Sequence, residues 1–138
     1  MREILFRGKR TDNGEWVEGY YYKAKYCRTD DELCDYITVP HPKEYNEPSS
    51  HYIVDPENVG QYTGLKDKNG TKIFEEDIVD ILTENEEIGV ITWADDEAMF
   101  IVDSNGWCAN FDNYYSTDLE VIGNLHDNLE LLGGNNNG

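Results

Sequence analysis

Apolar residues in this chain come in short runs, separated by polar segments rich in Gly, Asn, Asp and Glu. Such runs have the length of β-strands, and the residues between them are those that form turns. The clearest example is residues 59–81, where two apolar segments flank Asn69-Gly70 and a polar corner, Glu75-Glu76-Asp77, precedes a third. Asn-Gly favours a tight turn because both residues tolerate a positive φ. We therefore predict strand, hairpin, strand, corner and strand across this stretch.

A second Asn-Gly pair predicts an N-terminal hairpin. Asn13-Gly14 lies between residues 3–10 and 15–25, and both segments have the composition of strands. Because side chains alternate along a strand, the even-numbered residues of the second segment are expected to share one face. They are Trp16, Glu18, Tyr20 and Tyr22.

The remaining elements follow from the same signals. Asp55-Pro56 predicts a single helical turn, because Asp is a good N-cap and Pro a good first helical residue. Further strands are predicted at Tyr36–Val39, His51–Val54, Asp77–Leu82, Ile88–Trp93, Met99–Asp103 and Leu119–Gly123. We expect a polar loop or helical turn at 27–35, an aromatic loop or irregular strand at 107–115 and a final helical turn at 126–132.

Prolines divide the chain. Pro40–Ser50 holds three prolines in eleven residues, which excludes a central strand or a regular helix. The close spacing of the strands after it is typical of a small barrel or sandwich. We predict a mainly β chain with an N-terminal β-hairpin subdomain over 1–55, a second subdomain over 59–132 and a flexible tail over 133–138.

Charge is distributed unevenly along the sequence. The formal net charge is −18, yet residues 1–28 carry seven bases and four acids, a balance of +3. The remainder has four bases and 25 acids, a balance of −21. Such a surface repels nucleic acid and attracts basic proteins. The basic segment and the acidic remainder are expected to attract each other, either within one chain or between two chains, and the second case would give a homo-oligomer.

Other features set the expected compartment. No apolar run approaches the roughly 20 residues that cross a bilayer, and the first ten residues lack the apolar core of a signal peptide. We therefore expect a cytoplasmic protein without a membrane partner. The three cysteines are widely spaced, so reduced thiols are expected there.

Four segments resemble a phage and prophage family, the YopX-like proteins. They are Arg2–Arg7, Val59–Asp67, Asn69-Gly70 with Ile73–Val79, and Glu120–Leu125 with Leu131-Leu132 behind it. The resemblance implies a mainly β phage protein of the bacterial host's cytoplasm, with an N-terminal β-hairpin region packed on a small C-terminal SH3-like β-barrel. It implies no activity, because no catalytic residues carry over.

One position departs from the family pattern. The family usually has Gly where this chain has Glu76. If that Gly has a positive φ in relatives, Glu76 must either accept strain or re-route the corner.

The sequence offers no pattern for catalysis, a cofactor or a metal. Cys27 and Cys34 are too far apart for a zinc pair, and the three histidines are scattered. Asp95-Asp96-Glu97 lacks the spaced ligands of a calcium loop and is better interpreted as a solvated turn. We expect no enzymatic activity, no cofactor and no metal.

Two sets of residues are candidates for binding a partner. Tyrosine and tryptophan are favoured at protein interfaces, although in small barrels they also cover thin cores. The aromatic candidates are Tyr20, Tyr22, Trp107, Phe111, Tyr114 and Tyr115. Carboxylates either keep the protein soluble or imitate the phosphates of DNA. The acidic candidates are Glu86, Glu87, Asp95 and Asp96.

These observations favour a non-catalytic phage accessory protein that acts by binding another protein. The alternative is an acidic DNA mimic that inhibits a host nucleic-acid-binding or defence enzyme. Either function needs a protein partner, and the second needs a basic one. Neither requires direct contact with nucleic acid.

Overall fold

The computed structural model describes residues 3–25, 33–40, 49–82, 87–104, 107–110 and 118–133. The chain divides into two compact units, Met1–Tyr62 and Thr63–Gly138. Strand β5 (Gly60–Lys66) spans the division, so its first residues belong to the first unit and its last residues to the second.

The first unit is built around the predicted N-terminal hairpin. Its described strands before β5 are β1 (Phe6–Lys9) and β2 (Trp16–Lys25), which form the hairpin, and then β3 (Leu33–Pro40) and β4 (Ser49–Val54). They lie in the order β4-β3-β2-β1-β5, and the pairs β1–β2, β2–β3, β3–β4 and β1–β5 are antiparallel. The turn after β1 places Gly14 at a φ of 74°, as the Asn-Gly signal predicts.

The sheet of the first unit curls, so that the end of β1 reaches β4 although β2 and β3 lie between them. Arg10 forms a β-bridge with Val54, and the Thr11 amide donates to the Ile53 carbonyl at 3.0 Å. Ile37 and Val54 are fully buried on the inner side. Gly19 has no room for a side chain, because a Cβ there would collide with the Thr38 carbonyl oxygen.

The segment after β4 confirms the predicted helical turn. A 3-10 turn covers Pro56–Asn58, and the Asp55 carboxylate accepts a hydrogen bond from the Glu57 amide at 3.0 Å. Asp55 satisfies an amide that the first turn would otherwise leave without a partner, as an N-cap does.

The second unit combines the β5–β6 hairpin, which ends the six-stranded sheet, with a five-stranded antiparallel sheet. Its elements after β5 are β6 (Lys72–Phe74), β7 (Asp77–Ile81), β8 (Glu87–Ala94), β9 (Met99–Ser104), β10 (Trp107–Asn110), β11 (Leu119–Asn124) and the helical turn α1 (Glu130–Gly133). β6 pairs with β5, and the sheet order is β10-β9-β8-β7-β11. The core residues of this unit are Ile73, Val79, Ile81, Ile91, Val102 and Leu119.

The mainly β class is therefore confirmed, with antiparallel sheets and almost no helix. The SH3-like barrel is not confirmed. In the described part of the second unit no strand pairing closes the sheet, and β10 and β11 form its two edges. Strand spacing predicts the strands but not their closure, because closure depends on a pairing between distant residues.

Two local expectations are corrected. Residues 33–35 were expected in a polar loop or helical turn, but they extend β3 and pair with Lys23–Lys25 of β2. Asp35 is tolerated in this strand because the Tyr21 hydroxyl donates to its carboxylate. The Pro-rich segment was not expected in a central strand, but its first residue, Pro40, ends β3 and pairs with Ser49 of β4. Residues 41–48 lie outside the described residues.

Asp67 joins the β5–β6 hairpin to β11. Its Oδ1 accepts hydrogen bonds from the amides of Asn69 and Thr71, each at 2.9 Å. Its Oδ2 accepts one from the amide of Val121, also at 2.9 Å. Burial raises the pKa of Asp67, but these three amides and Lys68 outweigh burial, so the pKa lies below its ordinary value. The Asn69-Gly70 turn, with Gly70 at a φ of 84°, is thus fixed by one ionised side chain.

We predict that Asp67→Ala lowers the free energy of unfolding by about 3 kcal/mol at neutral pH, because three backbone amides lose an ionised and buried acceptor. The folded-state pKa is below the unfolded-state value of about 3.9. The stabilisation is therefore complete above that value and is lost as the pH falls through the folded-state pKa. Urea unfolding across this acidic range should show the deficit shrinking. The control is Asp96→Ala, at an exposed turn residue. A deficit that is absent, or that grows in acid, would contradict this role.

The acidic corner has the strained conformation that the departure from the family pattern suggests. Glu76 has a φ of 70°, in the left-handed region. Its amide donates to the Ile91 carbonyl at 2.7 Å, and its carbonyl accepts from the Leu125 amide at 3.0 Å. Its carboxylate oxygen lies 3.1 Å from Nε2 of His126. Glu76 therefore accepts a left-handed backbone conformation that glycine would adopt without strain.

Substitution separates the two effects at position 76. Glu76→Ala keeps the strain of a Cβ and removes the contact with His126, whereas Glu76→Gly removes both. We predict that the Gly variant is about 1 kcal/mol more stable than the Ala variant, because only glycine adopts this φ freely. Thermal and urea unfolding of both variants measure the difference. Equal stabilities would mean that the backbone at Glu76 is not strained.

Candidate partner-binding face

The three consecutive tyrosines of β2 divide between the two sides of the first sheet. Tyr20 and Tyr22 point outward and are 57% and 39% exposed. Tyr21 points inward, where its ring lies 5.5 Å from that of Phe6 and its hydroxyl donates to Asp35. Burial, together with the hydrogen bond to Asp35, raises the pKa of Tyr21 to about 12. The predicted alternation of faces along β2 is confirmed at these positions.

The two outward tyrosines lie in a larger patch formed by neighbouring strands. The register places Tyr36 opposite Tyr22 and Ile53 opposite Tyr36. A second row aligns Tyr20, Thr38 and His51 in the same way. We call these six residues the outer tyrosine face: Tyr20, Tyr22, Tyr36, Thr38, His51 and Ile53.

Contacts within the outer tyrosine face hold its side chains in place. The rings of Tyr22 and Tyr36 are stacked, with centroids 5.2 Å apart and planes 13° apart. The imidazole of His51 lies edge-on to the Tyr22 ring. Its Nδ1 lies 2.8 Å from the Thr38 hydroxyl and 3.2 Å from the Tyr22 hydroxyl. Rings fixed in this way lose little conformational entropy when a partner covers them.

Cationic side chains lie over aromatic rings elsewhere in the first unit. The Arg7 guanidinium is 4.8 Å from the ring centroid of Trp16, and the Lys9 ammonium is 5.6 Å from it. The Arg10 guanidinium is 4.3 Å from the ring centroid of Tyr52. These distances are within the range of cation–π attraction.

A cavity of about 390 Å³ adjoins the outer tyrosine face. It lies where the turn after β1 meets β4 and is lined by Thr11, Asp12, Tyr36, His51, Tyr52 and Ile53. Asp12 accepts two hydrogen bonds from Arg10, Nε to Oδ1 at 2.9 Å and a terminal guanidinium nitrogen to Oδ2 at 2.7 Å. The hydrogen bond from Arg10 holds the pKa of Asp12 below its ordinary value.

The structure describes some of the predicted site residues and not others. Trp107 begins β10, but the structure does not describe its side chain. Four other predicted residues lie wholly outside the described residues: Glu86, Phe111, Tyr114 and Tyr115. Glu87 begins β8, where its Oε2 lies 3.4 Å from the Ser104 hydroxyl. Asp95 and Asp96 lie exposed in the turn that follows β8. Glu87 and the Asp95-Asp96 pair are thus at opposite ends of one strand, not in one cluster.

Sequence reasoning missed the residues that complete the outer tyrosine face, namely Tyr36, Thr38, His51 and Ile53. Their alternation within β3 and β4 was readable, but their alignment with Tyr20 and Tyr22 depends on strand register. The described residues contain no group of three or more His, Cys, Asp or Glu side chains placed to hold a metal ion. Within the same residues, no helix has the length and apolar character needed to cross a membrane.

Comparison with known proteins identifies the family. The family model described as "YopX protein" matches residues 5–133. The chain belongs to the YopX family. Its fold is similar to the crystal structure of protein EF1440 from Enterococcus faecalis, with a TM-score of 0.54 and 25% sequence identity over 96% of this chain and 99% of that one. No curated protein matches the chain.

Proposed function

We propose that this YopX-family chain is a non-catalytic phage or prophage accessory protein that binds another protein in the host cytoplasm. The observation that carries the proposal is the outer tyrosine face. Tyr20 and Tyr22 expose large amphipathic rings beside each other on a regular strand pair. Tyrosine is enriched among the residues that dominate binding energy at interfaces, because it offers both apolar area and a hydroxyl.

The order within the face supports the same function. Tyr22 is held by its stack on Tyr36 and by the proximity of its hydroxyl to His51. Tyr20, two residues earlier in the strand, is the more exposed ring and would lose the most water-accessible area on binding. A pre-organised ring beside an exposed one suits a stable protein contact.

The charge of the second unit favours a second candidate function, an acidic DNA mimic that occupies a nucleic-acid-binding enzyme. Residues 63–138 carry three bases and 17 acids, a balance of −14. The first unit carries eight bases and 12 acids, a balance of −4. A mimic would therefore bind through the second unit, and its binding would weaken as salt screens the charges.

One pull-down experiment distinguishes the two functions. Tagged wild-type chain is incubated with host lysate, washed at low and then high salt, and its bound proteins are identified by mass spectrometry. We predict that the double variant Tyr20→Ser, Tyr22→Ser retains at least about tenfold less of the main partner, since each such ring typically contributes 1 kcal/mol or more. The matched control is Glu18→Ala, because Glu18 is exposed on the same strand and face.

The charge-reversal variant Glu87→Lys, Asp95→Lys, Asp96→Lys tests the mimic in the same assay. A partner that this variant loses, that high salt removes and that the tyrosine variant keeps would establish the mimic and contradict the tyrosine interface. A partner kept by both variants would contradict both functions. Recovery of only the chain itself would indicate a self-assembling protein instead.

A further inference from the structure

We infer that the cavity beside Tyr36 receives a cationic side chain, lysine or arginine, from the bound protein. The inference rests on the proposed protein-binding function, and it adds the chemistry of the partner's anchoring residue. The cavity's volume of about 390 Å³ lies at the lower end of the range for small-molecule sites, roughly 300–1,000 Å³, so one long side chain fits inside it.

The position of the cavity ties it to the outer tyrosine face. Tyr36, His51 and Ile53 belong to both, and Tyr22 stacks on Tyr36 from the neighbouring strand. On the far side, the Thr11 amide donates to the Ile53 carbonyl and brings the turn with Asp12 over β4. A partner that covers Tyr20 and Tyr22 therefore has the cavity at the border of its contact area.

The lining has two kinds of group that attract cations. Tyr36 and Tyr52 contribute electron-rich rings, and Asp12 contributes a carboxylate. Arg10 offsets the charge of Asp12, but the net charge of −18 still disfavours an anion. A neutral donor can hydrogen-bond to the carboxylate, but it gains neither the Coulomb attraction nor the cation–π attraction. The lining thus favours a cation over either alternative.

One cation of the chain, Arg10, already binds to two residues of this lining. The Arg10 guanidinium lies over the ring of Tyr52 and donates to both oxygens of Asp12. A carboxylate has about four lone-pair positions, so Asp12 can accept hydrogen bonds from a second cation on the cavity side. Asp12 is exposed enough to be reached, with 64% of its side chain accessible.

A titration with two nearly isosteric probes tests the inference without a partner protein. N-acetylarginine amide carries a guanidinium, and N-acetylcitrulline amide has a neutral urea of almost the same shape. In spectra of the ¹⁵N-labelled full chain, we expect the arginine probe to shift the Thr11 and Ile53 amides saturably and the citrulline probe to leave them unchanged. Asp12→Asn should weaken binding of the arginine probe about fivefold, the usual effect of one partly exposed charge.

The matched control is Asp96→Asn, which removes the same charge from an exposed turn of the second unit. Affinity for the arginine probe should be unchanged in this variant. Equal binding of both probes, shifts that do not saturate at Thr11 and Ile53, or equal loss in both variants would overturn the inference. Because no partner is present, such a result leaves the tyrosine-face function standing, whereas the pull-down with the tyrosine variant tests that function alone.

Discussion

The hydrogen bonds of Asp67 are the constraint on which the second unit depends. One carboxylate satisfies two amides within the β5–β6 turn and a third on β11, which is 54 residues further along the chain. Lys68 adds a backbone hydrogen bond to Leu119, so the turn and β11 are joined at two adjacent positions. This junction holds β11 beside β7 and covers the core around Ile73 and Leu119. A small core needs such polar fixation because hydrophobic burial alone leaves little net stability.

In the first unit, the alternation of side chains along the strands separates the core from the proposed binding surface. Curling of the sheet turns Tyr21, Ile37 and Val54 inward, and the same alternation turns Tyr20 and Tyr22 outward. The hydroxyl of Tyr21 is satisfied internally by Asp35, so the inner side can be closed without a buried unpaired donor. The outer side then displays aromatic rings that the fold does not need for its own core. The core and the proposed binding surface thus lie on opposite faces of the same strands.

Much of this fold follows from local chemistry, and the rest depends on long-range pairing. The two Asn-Gly turns, the Asp55 cap and the shared face of Tyr20 and Tyr22 follow from the residues themselves, but which face points outward does not. The strained corner at Glu76 could be anticipated from the family's glycine. The alignment of His51 with Tyr20 could not, because it requires the register of three strands. The cavity also depends on a pairing between Arg10 and Val54 that no local pattern encodes.

The most direct test of the central claim is amide hydrogen exchange on the full chain, alone and with its captured partner. The claim is that the outer face of the first sheet carries the function. It predicts slower exchange of the partner-bound chain at 20–22, 36–38 and 51–53, with the sheet of the second unit unchanged. Protection confined to 87–97, at the acidic ends of β8, would contradict the claim and assign binding to the charged second unit instead.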